Sequence, residues 1–111
     1  MFSPNVLEML EYLIDNDIEV SLHKRANGIY YADLHSQAKS HLHVFEKDGK
    51  VVFDMRYGKQ EEISADEDAE ALVYQAACCF AYDCICGRSF GSQAWDKLCK
   101  EMDITVSYGD M

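Results

Sequence analysis

The sequence predicts a two-layer α+β protein, with an N-terminal helix, a four-stranded antiparallel meander and two C-terminal helices packed on one face of the sheet. Three observations predict this fold class. Apolar residues recur at helical spacing near the N-terminus, they alternate with polar residues over positions 18–56, and a largely apolar segment with a helix start signal follows. Each strand has one apolar face, so the helices can cover that side of the sheet. The 111 residues suffice for one core, and we expect a single domain, 1–111.

The first helix is predicted over residues 4–16. Ser3 suits the N-cap position and Pro4 the first helical position. Acidic residues occupy one side of the segment, so the other side should face the sheet. That apolar side consists of Val6, Leu7, Leu10, Leu13 and Ile14.

Two hairpins follow, and the first of them joins strand 18–25 to strand 29–35. An Ala-Asn-Gly segment between the strands supplies a glycine for a bulged turn. If that turn has three residues, the directly opposite pairs are Leu22 with Ala32 and Val20 with Leu34.

The second hairpin covers residues 41–58 around Asp48-Gly49, a pair typical of tight turns between strands. Whether this turn has two residues or three stays open at the sequence level. The alternation of each strand sets its faces in either case. The inward set is Leu42, Val44, Val51, Phe53 and Met55, and the outward set is His41, His43, Phe45, Val52, Asp54 and Arg56.

Two helices are predicted after the meander. The segment 64–67, Ser-Ala-Asp-Glu, has the pattern of a capping box, and the helix that follows should end near Cys86, with Gly87 as its stop. A third helix is predicted over 90–102. The tail at 104–108 could add a short edge strand.

Four of the five cysteines lie between Cys78 and Cys86. On a helix, adjacent residues diverge by about 100° and residues two apart by about 200°, so these sulfurs do not converge on a zinc ion. An odd number of cysteines in a cytosolic protein also argues against a disulfide framework, and we expect small core thiols. The reverse side of this helix is apolar too, and the flanking helices, a second copy or another protein could cover it. That side consists of Tyr74, Cys78, Tyr82 and Ile85.

The net charge of −10 is unevenly distributed along the chain. Residues 1–20 carry five acids and no base, residues 21–59 carry seven bases and four acids, and residues 60–111 carry eleven acids and three bases. Such a balance repels nucleic acids and anionic membranes and favours basic partners. Neither a secretory signal nor a membrane-spanning run is visible, so we expect a cytoplasmic protein without direct nucleic-acid or membrane binding.

All four histidines are predicted on the outward face of the sheet: His23, His35, His41 and His43. A metal site formed by His41, His43 and Asp54 is compatible with their spacing, and a hydrolytic site on the same face is a second possibility. Imidazole, aromatic and guanidinium groups on an uncovered sheet face are also typical of a protein-binding surface, which we favour over the metal site. No nucleophile motif or phosphate loop is present, and we expect neither a cofactor nor catalysis.

Three segments resemble parts of small uncharacterised accessory proteins of tailed bacteriophages: AKSHLHV at 38–44, MRYG at 55–58 and GRSFGSQAW at 87–95. The layout of a helix, an antiparallel sheet and two acidic helices is also similar to small acidic phage-encoded inhibitors of host defence nucleases. The resemblance implies no catalytic residues. It implies a protein that acts in the host cytoplasm by binding and inhibiting or redirecting a host protein.

Our leading hypothesis is therefore a non-enzymatic protein that binds a basic surface of a host protein, with nucleic-acid-binding and defence proteins as the candidates. It could be a monomer or a homodimer, and an obligate homodimer held by the second helix is an alternative. The predicted acidic contact residues are Glu61, Glu62, Asp66, Glu67, Asp68 and Glu70. A second surface is predicted from the phage-like segments and consists of Lys39, His41, His43, Arg56, Tyr57 and Arg88.

Overall fold

The computed structural model of the protein describes residues 2–35, 41–55, 60–85 and 93–104, without the side chains of His41, residues 82–85 and Gln93. The predicted α+β class is confirmed. The elements in chain order are α1 (Pro4–Asp15), β1 (Glu19–Lys24), β2 (Tyr30–His35), β3 (His41–Lys47), β4 (Lys50–Asp54), β5 (Gln60–Ser64), α2 (Ala69–Ile85) and α3 (Gln93–Glu101).

The sheet is an antiparallel meander in the order β1-β2-β3-β4-β5, so the described part of the chain has five strands, and the prediction of four was wrong. β5 was missed because Ile63 is the only strongly apolar residue among its five, which leaves no alternation to read. Charged residues are common on edge strands, where they discourage pairing with another chain. The predicted register of the first hairpin is confirmed, with Leu22 opposite Ala32 and Val20 opposite Leu34.

Both hairpin turns follow from the positions of their glycines. In the first, the Arg25 amide donates to the Ile29 carbonyl and the Gly28 amide donates to the Arg25 carbonyl, both at 2.9 Å, which gives a three-residue turn. In the second, Asp48 and Gly49 have φ angles of 53° and 77°, and Lys47 pairs directly with Lys50. Two successive residues at positive φ are the mark of a two-residue type I′ turn, so the alternative left open by the sequence is resolved.

The predicted cap of the second helix was wrong. Ser64 ends β5, and its hydroxyl accepts a hydrogen bond from the Asp66 amide at 3.2 Å. The N-cap is Asp68, whose Oδ1 accepts from the Ala71 amide at 2.9 Å, and α2 begins at Ala69. An aspartate three residues before a free amide caps as well as a serine, and only the strand pairing of Ser64 decides between them.

The helices pack on one face of the sheet, which we call the inner face; the opposite face is the outer face. Trp95 of α3 is only 2% exposed. Its ring stacks on Phe80 of α2 with centroids 5.2 Å apart, and its indole N–H donates to the His35 carbonyl at 3.3 Å. These contacts dock α3 on α2 and on the end of β2. The largest fully buried core side chains are Trp95, Phe53, Met9, Leu13, Leu34, Leu72, Leu98, Val6, Val44, Val51 and Val73.

α1 spans Pro4–Asp15, inside the predicted 4–16, whereas α2 begins later than its predicted cap implied. α3 spans Gln93–Glu101, inside the predicted 90–102, and residues 90–92 lie outside the described part. Of the predicted edge strand at 104–108, only Ile104 is described, and it is not in a strand. No helix in the described ranges combines the length and the apolar character needed to cross a membrane.

Candidate functional site

The six predicted acidic contact residues do not form one surface. Glu61 and Glu62 are neighbours in β5 and therefore point to opposite faces of the sheet. Glu62 lies on the outer face, 3.6 Å from the Lys50 ammonium. The other four residues lie together at the turn before α2 and in its first turn: Asp66, Glu67, Asp68 and Glu70.

Three of those four residues line a groove on the helical side of the molecule. One cavity, of about 380 Å³, lies between α1, α2 and the end of α3 and is lined by Glu8, Tyr12, Val73 and Met102, among others. Because α1 contributes Glu8 and α3 contributes the end of its last turn, this cavity brings together residues more than 90 positions apart.

A second cavity, of about 570 Å³, lies between Ile63 of β5, the start of α2 and the end of α3. Glu70, Glu101 and Met102 line both cavities, so the two are adjacent. We call their combined surface the acidic groove, and it is defined by Glu8, Glu67, Asp68, Glu70 and Glu101 around Tyr12 and Tyr74.

The acidic groove is unusual in its charge and in its aromatic content. Five carboxylates line it, and no lysine or arginine does among the described residues. Tyr12 is 43% exposed and Tyr74 is 50% exposed, although both belong to helices that pack on the sheet. Exposed tyrosines beside like charges are typical of a surface that contacts another molecule.

The second apolar side of α2 is only partly covered by the other described helices. The described helices leave Tyr74 half exposed and Cys78 partly exposed, while Met9 and Trp95 are buried in the core. The side chains of Tyr82 and Ile85 lie outside the described set. Tyr74 therefore places part of this side in the acidic groove, whereas Cys78 lines neither of its cavities.

The outer face of the sheet carries a ladder of rings across three strands. The Tyr31 ring is 5.0 Å from that of His23 and 4.8 Å from that of His43, measured between centroids. The Arg25 guanidinium lies 4.9 Å from the Tyr31 centroid and 5.0 Å from that of Phe45. Three side chains therefore surround the Tyr31 ring, which leaves it little room to stack on a nucleotide base.

Phe45 and Val52 were predicted on the outward face and do lie opposite each other there, yet they are only 8% and 3% exposed. Position on the outer face therefore does not imply exposure. The Arg25 guanidinium lies over Phe45, as long basic side chains often do when their stems cover apolar surface.

A carboxylate and three imidazoles meet beside this ladder. Asp33 is buried, and its carboxylate lies 3.5 Å from His35 Nε2 and 3.7 Å from His43 Nε2. The Ser21 hydroxyl lies 2.9 Å from His23 Nε2 and 3.1 Å from His35 Nε2. A hydroxyl has one proton, so it donates to one ring and accepts from the other.

The group formed by Ser21, His35 and Asp33 does not have the geometry of a hydrolytic triad. In a Ser-His-Asp triad the hydroxyl and the carboxylate contact different nitrogens of the imidazole. Here Ser21 and Asp33 both contact Nε2 of His35. Among the described side chains, no three His, Cys, Asp or Glu residues are placed to hold a metal ion.

Most of the predicted second surface falls outside the described residues: Lys39, Arg56, Tyr57 and Arg88. The backbone of His41 is described, opposite His35, but its side chain is not. His43 lies directly opposite Asp54, as the metal hypothesis required. The metal site of His41, His43 and Asp54 therefore stays a prediction.

Comparisons with known proteins add no assignment. No protein-family model, curated protein or solved structure matches the chain. The acidic groove and the outer face are therefore interpreted from their own chemistry.

The described cysteines are free thiols in the helical layer. Cys79 and Cys99 are buried and Cys78 is partly buried. The Gln75 amide donates to Cys79 Sγ, and the Cys99 thiol donates to the Ala77 carbonyl, each at 3.6 Å. The side chains of Cys84 and Cys86 lie outside the described set. Burial raises the pKa of the Cys78 thiol, and a hydrogen bond with Tyr74 opposes this rise without cancelling it.

We expect Cys78 to react slowly with iodoacetamide at neutral pH. Because the pKa of its thiol is raised, less thiolate is present than at a free cysteine, and the reaction should accelerate only at higher pH. Site-resolved mass spectrometry of labelling between neutral and alkaline pH measures this, with the urea-unfolded chain as the control. Labelling in the folded protein that equals or exceeds that of the unfolded chain would identify an activated cysteine instead.

Proposed function

We propose that the protein is a non-enzymatic binding protein that captures a basic surface of a partner protein. The acidic groove is the observation that carries this proposal. Its described lining combines a concave shape, five carboxylates with no basic residue among them, and two half-exposed tyrosines. Charge of one sign in a cleft attracts an oppositely charged partner and raises the rate of association.

The charge of the chain favours a protein partner over a nucleic acid. A net charge of −10 repels phosphate backbones, and the bases of the chain are outnumbered two to one by its acids. A nucleic-acid-binding protein presents the opposite charge on its functional surface. Occupation of that surface by the acidic groove would block it, which is how an acidic protein inhibits or redirects such a partner.

The resemblance to tailed-phage accessory proteins supports a context for this activity. In that context the protein acts in the cytoplasm of the bacterial host, and its partner is a host nucleic-acid-binding or defence protein. Inhibition of a defence protein is the specific role that we propose.

Removal of two of the five carboxylates of the groove is expected to weaken partner capture about tenfold and to reduce its sensitivity to salt. The variant carries Glu70→Gln and Glu101→Gln, the two carboxylates shared by both cavities. The control carries Glu19→Gln and Glu62→Gln, two exposed acids of β1 and β5 that remove the same charge elsewhere. Partners captured from bacterial lysate by the wild-type protein are identified by mass spectrometry, and their affinities for the three proteins are then compared.

The proposed function fails if the captured partners lack a basic surface or if their affinity does not fall as salt rises. Light scattering of the purified protein tests the homodimer alternative. A stable dimer that the groove variant converts to monomer would show that the groove binds a second copy and not a host protein.

A further inference from the structure

The two cavities of the acidic groove are lined by the same kinds of side chain. Each contains a half-exposed tyrosine, Tyr12 in one and Tyr74 in the other, and each is bordered by Glu70 and Glu101. An aromatic ring beside carboxylates is the combination that holds an organic cation, because the ring face and the carboxylates attract the same charge.

The carboxylates of the groove have no cation of their own in the described part of the chain. Glu8, Glu67, Glu70 and Glu101 form no ion pair there, whereas Glu62 outside the groove pairs with Lys50. Acids gathered without a counter-charge repel one another, and a bound cation relieves that repulsion. A metal ion does not fit, since no three of these side chains are placed to coordinate one.

We propose that the two cavities are pockets for arginine side chains, and that one short arginine-rich segment of the partner fills both. This proposal rests on the proposed function and names its contact site. Guanidinium is preferred over ammonium because it is planar, stacks on tyrosine and donates to carboxylates in pairs. The protein already makes this contact internally, where the Arg25 guanidinium lies 4.9 Å from the centre of the Tyr31 ring.

One segment suffices because the cavities are adjacent. They share Glu70, Glu101 and Met102, so these residues form the ridge between them. Two arginines from neighbouring turns of a helix, or from alternate positions of an extended strand, can straddle that ridge. The aliphatic stems of the arginines would then cover Met102, which lines both cavities.

The probe is a fluorescein-labelled peptide of alternating arginine and alanine, and its lysine counterpart of equal charge is the comparison. Fluorescence anisotropy at moderate salt gives the dissociation constants. We expect the arginine peptide to bind several-fold more tightly than the lysine peptide, and Glu70→Gln with Glu101→Gln to weaken it about tenfold. Glu19→Gln with Glu62→Gln should change its affinity by less than about twofold.

A variant without the two tyrosines distinguishes binding in the pockets from attraction by the negative charge alone. Tyr12→Leu with Tyr74→Leu keeps every charge and places apolar side chains at two exposed positions, so the buried core is unchanged. It should remove the preference for arginine over lysine. Chemical shifts of the Tyr12 and Tyr74 rings should move when the arginine peptide is added to the wild-type protein.

The results of these experiments distinguish failure of the arginine pockets from failure of the proposed function. If the groove variant and the control lower the affinity for the arginine peptide equally, the attraction comes from the net charge of the protein. The proposal of arginine pockets is then overturned, while binding to a basic partner stands. If the peptide does not bind but a basic partner is captured in a salt-dependent way, the pockets are again overturned and the function stands. If the peptide binds in the groove as described but no basic partner is captured, the pockets stand and the proposed function fails.

Discussion

Trp95→Ala is expected to lower the free energy of unfolding by about 3–5 kcal/mol, the range for loss of a buried aromatic side chain from a core. Trp95 is 2% exposed and stacks on Phe80, so its removal leaves a cavity between α2 and α3. The His35 carbonyl would also lose the indole N–H that reaches it at 3.3 Å. Small domains have a total stability of about 5–15 kcal/mol, so the loss is a large fraction of it.

Urea denaturation followed by far-ultraviolet circular dichroism measures this effect, because Trp95 is the only tryptophan and the variant has no tryptophan fluorescence. Trp95→Phe is the matched control. It keeps an aromatic ring against Phe80 but removes the indole donor, and a loss of about 1–2 kcal/mol is expected. If Trp95→Ala lowered the free energy of unfolding by less than about 1 kcal/mol, α3 would not belong to the cooperative core of the protein.

Phe53→Ala is expected to cost about 3–5 kcal/mol, and Phe45→Ala clearly less, although both remove the same atoms from neighbouring strands. Phe53 is fully buried on the inner face beneath the helices. Packed helices cannot collapse into the space that it leaves. Phe45 is 8% exposed on the outer face, where the Arg25 side chain lies over its ring and can settle into the gap.

The comparison of these two variants tests the assignment of the sheet faces. The same urea titrations, followed by the fluorescence of the unchanged Trp95, give both free energies of unfolding. Equal losses would mean that the outer face is packed as rigidly as the inner face. A larger loss for Phe45→Ala would contradict the assignment of the core to the helical side.

Much of the fold follows from local patterns. The glycine-containing turns at 26–28 and 48–49 set the hairpins, and the alternation of each strand then assigns its residues to the correct face. β5 was missed because a charged edge strand with one apolar residue has no pattern of its own. Its hydrogen bonds to β4 decide its structure, and these depend on a neighbouring strand rather than on its sequence.

The cap of α2 was misassigned for a related reason. Ser64 and Asp68 are both good N-cap residues, and the local sequence favours the first of them. Once Ser64 pairs with Lys50 at the end of β5, the helix can begin only after the turn, at Asp68. A long-range pairing thus overrides a local signal.

The candidate site also contains residues that the sequence could assign to it and residues that only the tertiary structure brings there. Composition and charge distribution alone indicate an acidic protein suited to a basic partner, and four of the six predicted acids do lie together before and at the start of α2. Glu8, Tyr12 and Glu101 could not be assigned to that site, because nothing in the sequence connects residue 8 with residue 101. Only the packing of α1 and α3 against α2 brings them beside Glu70 and Tyr74, since side chains far apart in the chain meet only where helices dock.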